Sequence, residues 1–498
     1  MAAAAYDGPA SHFPVMAESE QAAPVFSLRS FIQTLLSRCR DEFDEEESLE
    51  ERIRIVCSKP ESLSVGPLVH REEAWPRKND ELSRRNREDG NAAYQEGKYD
   101  LAILLYTEAM KYAPCNPVLL EGEALALAAA NRSAAYYQQK LYREAVEDVE
   151  VAVSAGYPHN TVYKLYIRKC KCELELGRIN RAQVAFDAAV EAIEWSGLKK
   201  GVRSDLTVNL QEAFINLAKT ANEEGVEVDL TSPTDDLKGK EKEMSAVPER
   251  LRVEASHLGF PAASKAIRVK YEATVGRHVV AARDIMPGEV LFLEFPTVSC
   301  MMDDHVESIC QLCLRYTTSP LPCPTCSDVS FCSVDCRSQA LQTFHRYECR
   351  LTHVFQETGI KDLHLLLLAF RAVSQKPVEY FIKNAERLDG ADPKFGLGET
   401  EEEYLSDDYR TLFNLCTHSH RRDTNDIYSK TIFAAFLLRC LQEVGYFRSV
   451  TETAPGLTLS QPEVLVGRIL KHFLDCIQFN THTIEVLVSS HRLLCQEK

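Results

Sequence analysis

No apolar run in the chain approaches the length of a membrane span. Leu365–Phe370, for example, covers six residues, whereas a helix that crosses a bilayer needs about 20. No membrane partner is therefore expected. Positive charge is not in excess either: 57 Lys and Arg stand against 74 Asp and Glu, a net charge of −17. Strong direct nucleic-acid binding is not expected, because a bulk grip on phosphate rests on many cations. Met1–Val15 lacks a basic stretch followed by an apolar core, the mark of a secretory leader, so reducing surroundings are expected. Gly-x-Ser-x-Gly and phosphate-loop patterns are missing, which removes two common signatures of hydrolases and nucleotide-binding enzymes. Disorder throughout is excluded by a composition of 45% hydrophobic and 26% charged residues, ordinary for globular proteins. The 498 residues suit about two to four domains.

Cysteine is what the chain has in quantity. Of 17 cysteines, 7 fall between Cys310 and Cys349. In reducing surroundings such a cluster reads as metal binding and not as a disulfide framework. The spacing is Cys310-x2-Cys313, Cys323-x2-Cys326, Cys332-x3-Cys336 and His345-x3-Cys349. Zinc takes four thiolate or imidazole ligands tetrahedrally, so these eight make two closed, structural sites. A segment this short buries too little to fold alone, and the metal supplies its folding energy. Sequential and interleaved pairings both fit the spacing.

Helical periodicity dominates residues 79–225. Gly90, Ala102, Tyr106, Ala109 and Pro114 mark the small, aromatic and breaking positions of a helix–turn–helix unit. Ala145, Val149, Ala152 and Pro158 repeat its second half, and Ala182, Phe186 and Ala189 repeat it again. The anchor alanines Ala102, Ala145 and Ala182 lie 43 and 37 residues apart, against about 34 in a tetratricopeptide repeat; an insertion near 118–127 accounts for the longer interval. Three such units suffice for a stacked core. Residues 226–250 are polar and lack an apolar period, which makes them a linker. Strand-like runs follow at His278–Ala281 and Val290–Phe295 around a Pro287-Gly288 turn. Helices are expected at Asp362–Ser374, Thr431–Val444 and Pro462–Phe479. Residues 1–78 read as a partly disordered extension, with a short amphipathic segment near Phe26–Cys39 and an acidic run over Asp41–Glu51.

The eight-ligand pattern resembles the MYND-type zinc finger, whose pairs interleave. The resemblance implies one zinc on Cys310, Cys313, Cys332 and Cys336 and another on Cys323, Cys326, His345 and Cys349. With VGRHVVAARDIMPGEVLFLEFP just upstream, the chain resembles the SET-MYND lysine methyltransferases, whose SET domain is split by the finger. That implies an α+β multidomain fold. A helical repeat array comes first, and an incomplete β-rich SET domain follows, interrupted by the finger and followed by a helical insert. The implied boundaries are 251–305 for the first SET part, 306–350 for the finger, 351–484 for the insert and the start of the SET core, and 485–498 for a divergent tail. The resemblance further implies S-adenosylmethionine as methyl donor, held by Gly276, Arg277, His278 and, in the strand-like FNTHTI of Phe479–Ile484, Asn480. Histones or other lysine-bearing proteins would be substrates, in nucleus and cytoplasm. The family continues with an Asn-His-Ser-Cys-x-Pro-Asn segment and a catalytic tyrosine. Neither occurs here, where EVLVSSHRLLCQEK follows Ile484. A shortened form without catalytic residues, inactive alone, is thus expected.

The alternative expectation is a zinc-containing adaptor. Arg87 and Asn91, and Lys164 and Arg168, are four apart, so each pair shares a helix face. With Asn131 they would line one groove and suit a C-terminal carboxylate and a nearby Asp. This resembles the clamp of repeat domains that bind the Glu-Glu-Val-Asp tails of Hsp90 and Hsp70. His418 and His420 in LCTHSH are metal or nucleophile candidates by residue type alone.

Overall fold

The computed structural model describes residues 28–70, 78–116, 121–223, 253, 256–257, 260–272, 276–301, 308–357, 363–388, 409–451 and 455–483. The linker expected over 226–250 and the tail over 485–498 lie outside these residues.

The chain order opens with helices α1 (Leu28–Glu45), α2 (Leu49–Ser58) and α3 (Val65–Val69). Seven helices follow as a repeat-like array: α4 (Asp80–Gln95), α5 (Tyr99–Tyr112), α6 (Glu123–Gln138), α7 (Tyr142–Ser154), α8 (Tyr163–Glu175), α9 (Ile179–Trp195) and α10 (Lys200–Glu223). Asn79 caps α4, its side-chain oxygen accepting the Leu82 N–H at 2.9 Å, the usual remedy for orphan donors at a helix start. The small residues of the repeat pattern make close approach feasible. At Gly90 a Cβ would meet the Tyr106 ring at 2.6 Å, so only glycine lets α4 lie flat against that ring. Ala102, Ala109, Ala145, Ala152, Ala182 and Ala189 are all fully buried between paired helices.

A second helical body contains α13 (Thr352–Glu357), α14 (Leu363–Ser374), α15 (Val378–Leu388), α16 (Tyr409–Phe413), α17 (Thr424–Glu443) and α18 (Gln461–Asn480), reached after the finger helices α11 (Val334–Gln342) and α12 (His345–Glu348). The helices of this body are longer or shifted relative to expectation because of their caps. Asp423 accepts from the Asp426 N–H at 3.0 Å and starts α17 seven residues before Thr431. Ser460 and Glu463 form a capping box that starts α18, satisfying two donors reciprocally.

For residues 28–70, the described part of the stretch read as a partly disordered extension over 1–78, the structure shows helices packed on this body instead. Leu28, Phe31, Leu35, Cys39 and Phe43 recur every three or four positions along α1 and join the same core as α17 and α18. Phe31 meets Phe436 at 5.9 Å between ring centroids, and Phe43 meets Tyr428 at 4.8 Å. The fully buried Arg439 of α17 donates to the Cys57 carbonyl at 2.8 Å and to Ser62 Oγ at 3.0 Å. An amphipathic stripe with no local partner finds one some 400 residues later, which sequence periodicity alone does not reveal.

Sheet structure among the described residues consists of two-stranded ribbons: β1 (Ser256–His257) with β2 (Phe260–Ser264), β3 (Ile267–Glu272) with β4 (Gly276–Ala281), and β5 (Leu321–Pro322) with β6 (Ser330–Phe331). The β3–β4 register runs from Ile267 opposite Ala281 to Glu272 opposite Gly276. The strand expected at Val290–Phe295 is not one. Only a bridge from Phe292 to Ala263 forms, with Ser264 N–H donating to the Leu291 carbonyl at 2.8 Å. Pro296 offers no N–H to continue the ladder. No helix is long and apolar enough to cross a membrane among the described residues.

The finger joins array and body. Arg132 of α6, fully buried, makes a two-pronged ion pair with Asp148 of α7 at 2.8 and 2.7 Å, and its remaining nitrogen donates to the Pro320 carbonyl at 3.1 Å. Tyr136 donates to the Thr318 carbonyl at 2.5 Å, Thr318 to Glu144 at 2.9 Å, and Ser319 to Glu147 at 2.7 Å. On the other side, Arg371 of α14 forks onto Glu348 at 2.8 Å through two nitrogens and stacks over Phe344 at 4.3 Å. Removing one partner of a buried pair strands the other charge. Asp148→Ala is therefore expected to cost about 3–5 kcal/mol, read as a lowered urea midpoint for the array, and Arg132→Met with Asp148→Leu is expected to recover most of that loss.

Candidate metal centre and donor site

The finger spans a knuckle, a short hairpin and two helices. Cys310 N–H donates to the Arg315 carbonyl at 2.9 Å and Leu314 N–H to the Cys310 carbonyl at 2.9 Å, with Leu314 in the left-handed region at φ 56°. This tight turn brings Cys310 and Cys313 together. Ser333 Oγ accepts the Cys336 N–H at 3.1 Å and caps α11, which sets Cys332 and Cys336 about one turn apart.

Two groups result, Cys310, Cys313, Cys332 and Cys336, and Cys323, Cys326, His345 and Cys349, each with its ligand atoms within 4.8 Å of one another. Interleaved pairing is thus the one adopted. Sulfur separations are 3.5 Å for Cys313–Cys332, 3.6 Å for Cys332–Cys336 and 3.9 Å for Cys323–Cys349. A disulfide would need about 2.0 Å; a tetrahedron of thiolates at the Zn–S length of about 2.3 Å has edges of roughly 3.8 Å. His345 Nε2 lies 3.3 Å from Cys323 Sγ and 3.6 Å from Cys326 Sγ, so Nε2 is the nitrogen that faces the site. Both clusters fit zinc. Hydrogen bonds from Cys313 and then Cys332 hold the Cys310 thiol well below the usual range, and those from Cys326 and Cys349 do the same for Cys323. Elsewhere, burial pushes Cys170 and Cys172 up to about 12. Within each cluster the thiols thus share protons unequally: Cys310, Cys313 and Cys323 are shifted toward the thiolate, the metal-binding form, while Cys326, Cys332, Cys336 and Cys349 are shifted up by their neighbours; the core thiols are inert.

The residues implied for the methyl donor sit on two elements. Gly276 opens β4, with Arg277 and His278 following it. Asn480 is the last residue of α18 and not part of a strand, because the capped helix begun at Gln461 runs as far as Asn480. His278 Nε2 lies 3.6 Å from Glu272 across the ribbon. Sequence reasoning missed what links Arg277 to Asn480. Five consecutive carbonyls, Phe413 to Thr417, each meet a polar side chain from elsewhere. His472 Nε2 meets Phe413 O at 2.6 Å, Arg277 donates to Asn414 O, and Cys476 Sγ donates to Leu415 O at 3.4 Å. Asn480 donates to Cys416 O at 3.1 Å and Arg422 to Thr417 O at 3.0 Å. Arg277 and Asn480 thus grip the same segment two residues apart. The signal in sequence, an irregular NLCTHSH stretch before α17, carries no hint of this. His418 and His420, rings 6.4 Å apart, join no metal-ligand cluster among the described residues.

Of the clamp residues, Asn91 and Asn131 come together, Asn131 donating to Asn91 Oδ1 at 2.8 Å. Tyr106 donates to the same oxygen at 2.9 Å. Arg168 turns inward onto the Ala130 carbonyl at 2.9 Å and Ser133 Oγ at 2.6 Å. Lys164 is exposed, and Arg87 half-buried on α4. Lys164 and Arg168 line a groove of about 230 Å³ with Tyr94, Tyr137, Gln138 and Lys171.

Comparison with known proteins agrees with the finger. The MYND finger family matches residues 310–349. Protein-lysine N-methyltransferase SMYD4 of Gallus gallus is 25% identical over 495 residues, covering 88% of this chain and 64% of that protein. SMYD4 of Homo sapiens is 26% identical over 413 residues, covering 74% of this chain and 49% of its own length. The chain thus spans between about half and two thirds of these two relatives. Over 104 residues it is also 31% identical to the heat-shock protein cognate co-chaperone sgt12 of Aspergillus fumigatus, covering 21% of this chain and 27% of that one. No solved structure matches significantly. Zinc content tests the clusters: the purified full chain is expected to carry two zinc equivalents, and a strong chelator to remove both while the amide protection of α11 and α12 is lost. A folded, protected finger without metal would contradict this assignment. With a MYND finger at 310–349 and likeness running through most of its length, the chain is similar to the SMYD4 protein-lysine N-methyltransferases.

Proposed function

We propose that the chain is of the protein-lysine N-methyltransferase kind, binding S-adenosylmethionine between the start of β4 and the end of α18, although its sequence carries no Asn-His-Ser-Cys catalytic segment. The observation that carries this is the convergence of Arg277 and Asn480 on the Asn414–Cys416 segment in a SMYD4-like chain. The donor, when bound, supplies a methyl group on a sulfonium. Gly276 offers backbone without a side chain at the start of β4. Asn480 uses its side-chain N–H groups on Cys416 O and Cys476 O, which fixes the amide and leaves Oδ1 as an acceptor for an ammonium group. Arg277, held by Asn414 O, is placed to orient a carboxylate. The five side chains on Phe413–Thr417 keep both halves in register, the pre-organisation that donor binding requires. Histones or other lysine-bearing proteins would be the substrates. Calorimetric titration of the full chain with S-adenosylhomocysteine is expected to give saturable binding that Asn480→Ala weakens at least about 10-fold, a loss of about 1.4 kcal/mol. Flat titration of a well-folded chain would remove the proposal.

A second reading rests on the groove. Read as tetratricopeptide repeats, α4, α6 and α8 carry Arg87, Asn91, Asn131, Lys164 and Arg168, of which Lys164 and Arg168 line the groove. This supports an adaptor role in which a chaperone tail ending in Glu-Glu-Val-Asp lies in the groove, as in the dicarboxylate-clamp repeats of Hsp90 and Hsp70 partners. Because Arg168 is already bonded inward, Lys164 and Lys171 are the groove cations available to a terminal carboxylate, Lys164 being the more exposed. Binding of such a peptide is expected to fall at least about 10-fold with Lys164→Ala, and to vanish when the peptide is amidated. Equal affinity for the amidated peptide would exclude a carboxylate clamp.

A further inference from the structure

The two metal clusters differ in what covers them. In the second, Cys323, Cys326 and His345 are 0% exposed and Cys349 is 5% exposed. The buried rings of Phe331 and Phe344 meet the His345 ring edge to face at 5.8 and 6.4 Å between centroids. In the first, Cys310 and Cys336 are buried, but Cys313 and Cys332 are half-buried. The residues near these two reach the surface as well: Arg315 and Tyr316 after the knuckle, Val334 and Asp335 at the start of α11. A small polar reagent thus meets the first cluster through Cys313 and Cys332, and meets no sulfur of the second to the same degree.

The two sulfurs open to solvent are also neighbours. Cys313 Sγ and Cys332 Sγ lie 3.5 Å apart. Cys332 and Cys336 are nearly as close at 3.6 Å, but Cys336 is 2% exposed. Cys313 belongs to the knuckle and Cys332 follows β6 just before α11, so the close pair joins two separate pieces of the finger. Susceptibility of a thiol to oxidation follows its thiolate character and its exposure, and zinc holds its cysteine ligands as thiolates.

We propose that Cys313 and Cys332 are a redox-modification pair: a hydroperoxide joins these two sulfurs and releases the zinc of the first cluster, while the second cluster keeps its metal. One of the two thiolates attacks a peroxide oxygen. The S–O bond forms as the O–O bond breaks, leaving a sulfenic acid and a hydroxide or alkoxide. The other thiolate attacks that sulfur and expels hydroxide, and both anions take protons from solvent. The two sulfurs lose two electrons and the peroxide gains them. Only Cys310 and Cys336 then remain to hold the zinc, two ligands where four are needed. The consequence is local. Gln311 in the knuckle accepts from Arg371 at 3.3 Å, whereas the fork of Arg371 onto Glu348 at 2.8 Å lies next to Cys349 of the second cluster. Oxidation therefore loosens the knuckle from the helical body and leaves the Glu348 joint in place.

The test treats the full, zinc-loaded chain with dilute hydrogen peroxide. Zinc release is followed with a chelating dye, free thiols are alkylated, and disulfides are located by mass spectrometry. A chain that starts with fewer than two zinc equivalents would overturn the metal assignment and the proposal with it. One equivalent is expected to leave at least about 10-fold faster than the other, in step with a Cys313–Cys332 disulfide. Cys323, Cys326 and Cys349 should still be reduced at that point. Amide protection is expected to fall over residues 310–316 and to persist in α12, and a thiol reductant with added zinc to reverse both changes. Cys313→His keeps a zinc ligand but cannot form the disulfide, so it should slow release of the first equivalent toward the rate of the second. Release of both equivalents at one rate would overturn the proposal. So would a first disulfide that contains Cys323, Cys326 or Cys349, or one between Cys332 and Cys336. Should Cys313→His not load two equivalents, the disulfide map of the wild type decides.

Discussion

Thiolates converging on two metal positions are the constraint on which the rest of the architecture depends. The finger has little else to hold it. Apart from its cysteines, its buried cluster consists of Val329, Phe331, Ala340 and Phe344, too small a core to offset the ordering of some 40 residues. Yet this segment is the joint of the molecule. Thr318, Ser319 and Pro320 reach the helices of the array, and Glu348 and Phe344 receive Arg371 from the helical body. Without the two clusters, neither set of contacts has a fixed surface to meet. Metal binding is thus coupled to the relative placement of parts far larger than the finger itself.

The joints are made with buried charge, and that choice has a physical consequence. Arg132–Asp148 and Arg371–Glu348 are both nearly inaccessible to water. Such pairs contribute little net stability, because desolvation opposes the Coulombic gain. What they add is geometric. A planar guanidinium forked onto a carboxylate has one orientation, and its spare nitrogen then points one way only. In Arg132 that nitrogen is shared between Thr107 Oγ1 at 2.9 Å and the Pro320 carbonyl at 3.1 Å, and in Arg371 it meets the Ser299 carbonyl at 2.7 Å. Each pair converts the packing of two helices into the position of one loop carbonyl. A purely apolar junction of equal area would hold as firmly and specify less.

What could be read from the sequence follows the range of the interactions. The eight metal ligands were legible because their spacing is local and their chemistry rare. The repeat helices were legible because Ala102, Tyr106 and Ala109 pack within one unit and its neighbour. The destination of α1 was not, since Phe31 and Phe43 meet partners from Tyr428 onward, and an amphipathic helix does not state what covers it. The reading of Asn480 failed in a different way. Its neighbours suggest a strand, but the Ser460–Glu463 box launches a helix twenty residues earlier, and the helix continues until Asn480 itself closes it. The Val290–Phe295 pattern alternates as a strand should, yet alternation describes a face and not a partner. Only β2 lies beside it, so one bridge is all that forms.

The segment Phe413–Thr417 shows how a non-repetitive stretch can be as well determined as a helix. Backbone carbonyls demand donors, and past Phe413, where α16 ends, this segment has no ladder to supply them. Here the donors come from four places: Arg277 on β4, Arg422 at the foot of α17, His472 and Cys476 along α18, and Asn480 at its end. Since burial lowers the pKa of His472, its ring is neutral, and Nε2–H can serve Phe413 while carrying no charge into the core. Arg422 does more than cap Thr417. It also reaches Asp426 at 2.6 Å and the Asp475 carbonyl at 2.7 Å, tying the segment to both long helices. A displacement of any one of these elements takes a donor from its carbonyl, at a cost of about 1–3 kcal/mol where the residue is buried, as at Phe413, and less at exposed Cys416, where water can replace the donor. The distance between β4 and the end of α18 is therefore set by the sum of several such penalties, and not by direct contact between the two elements. That is why two residues 203 positions apart in the sequence, Arg277 and Asn480, hold a common geometry in a region that has almost no regular structure between them.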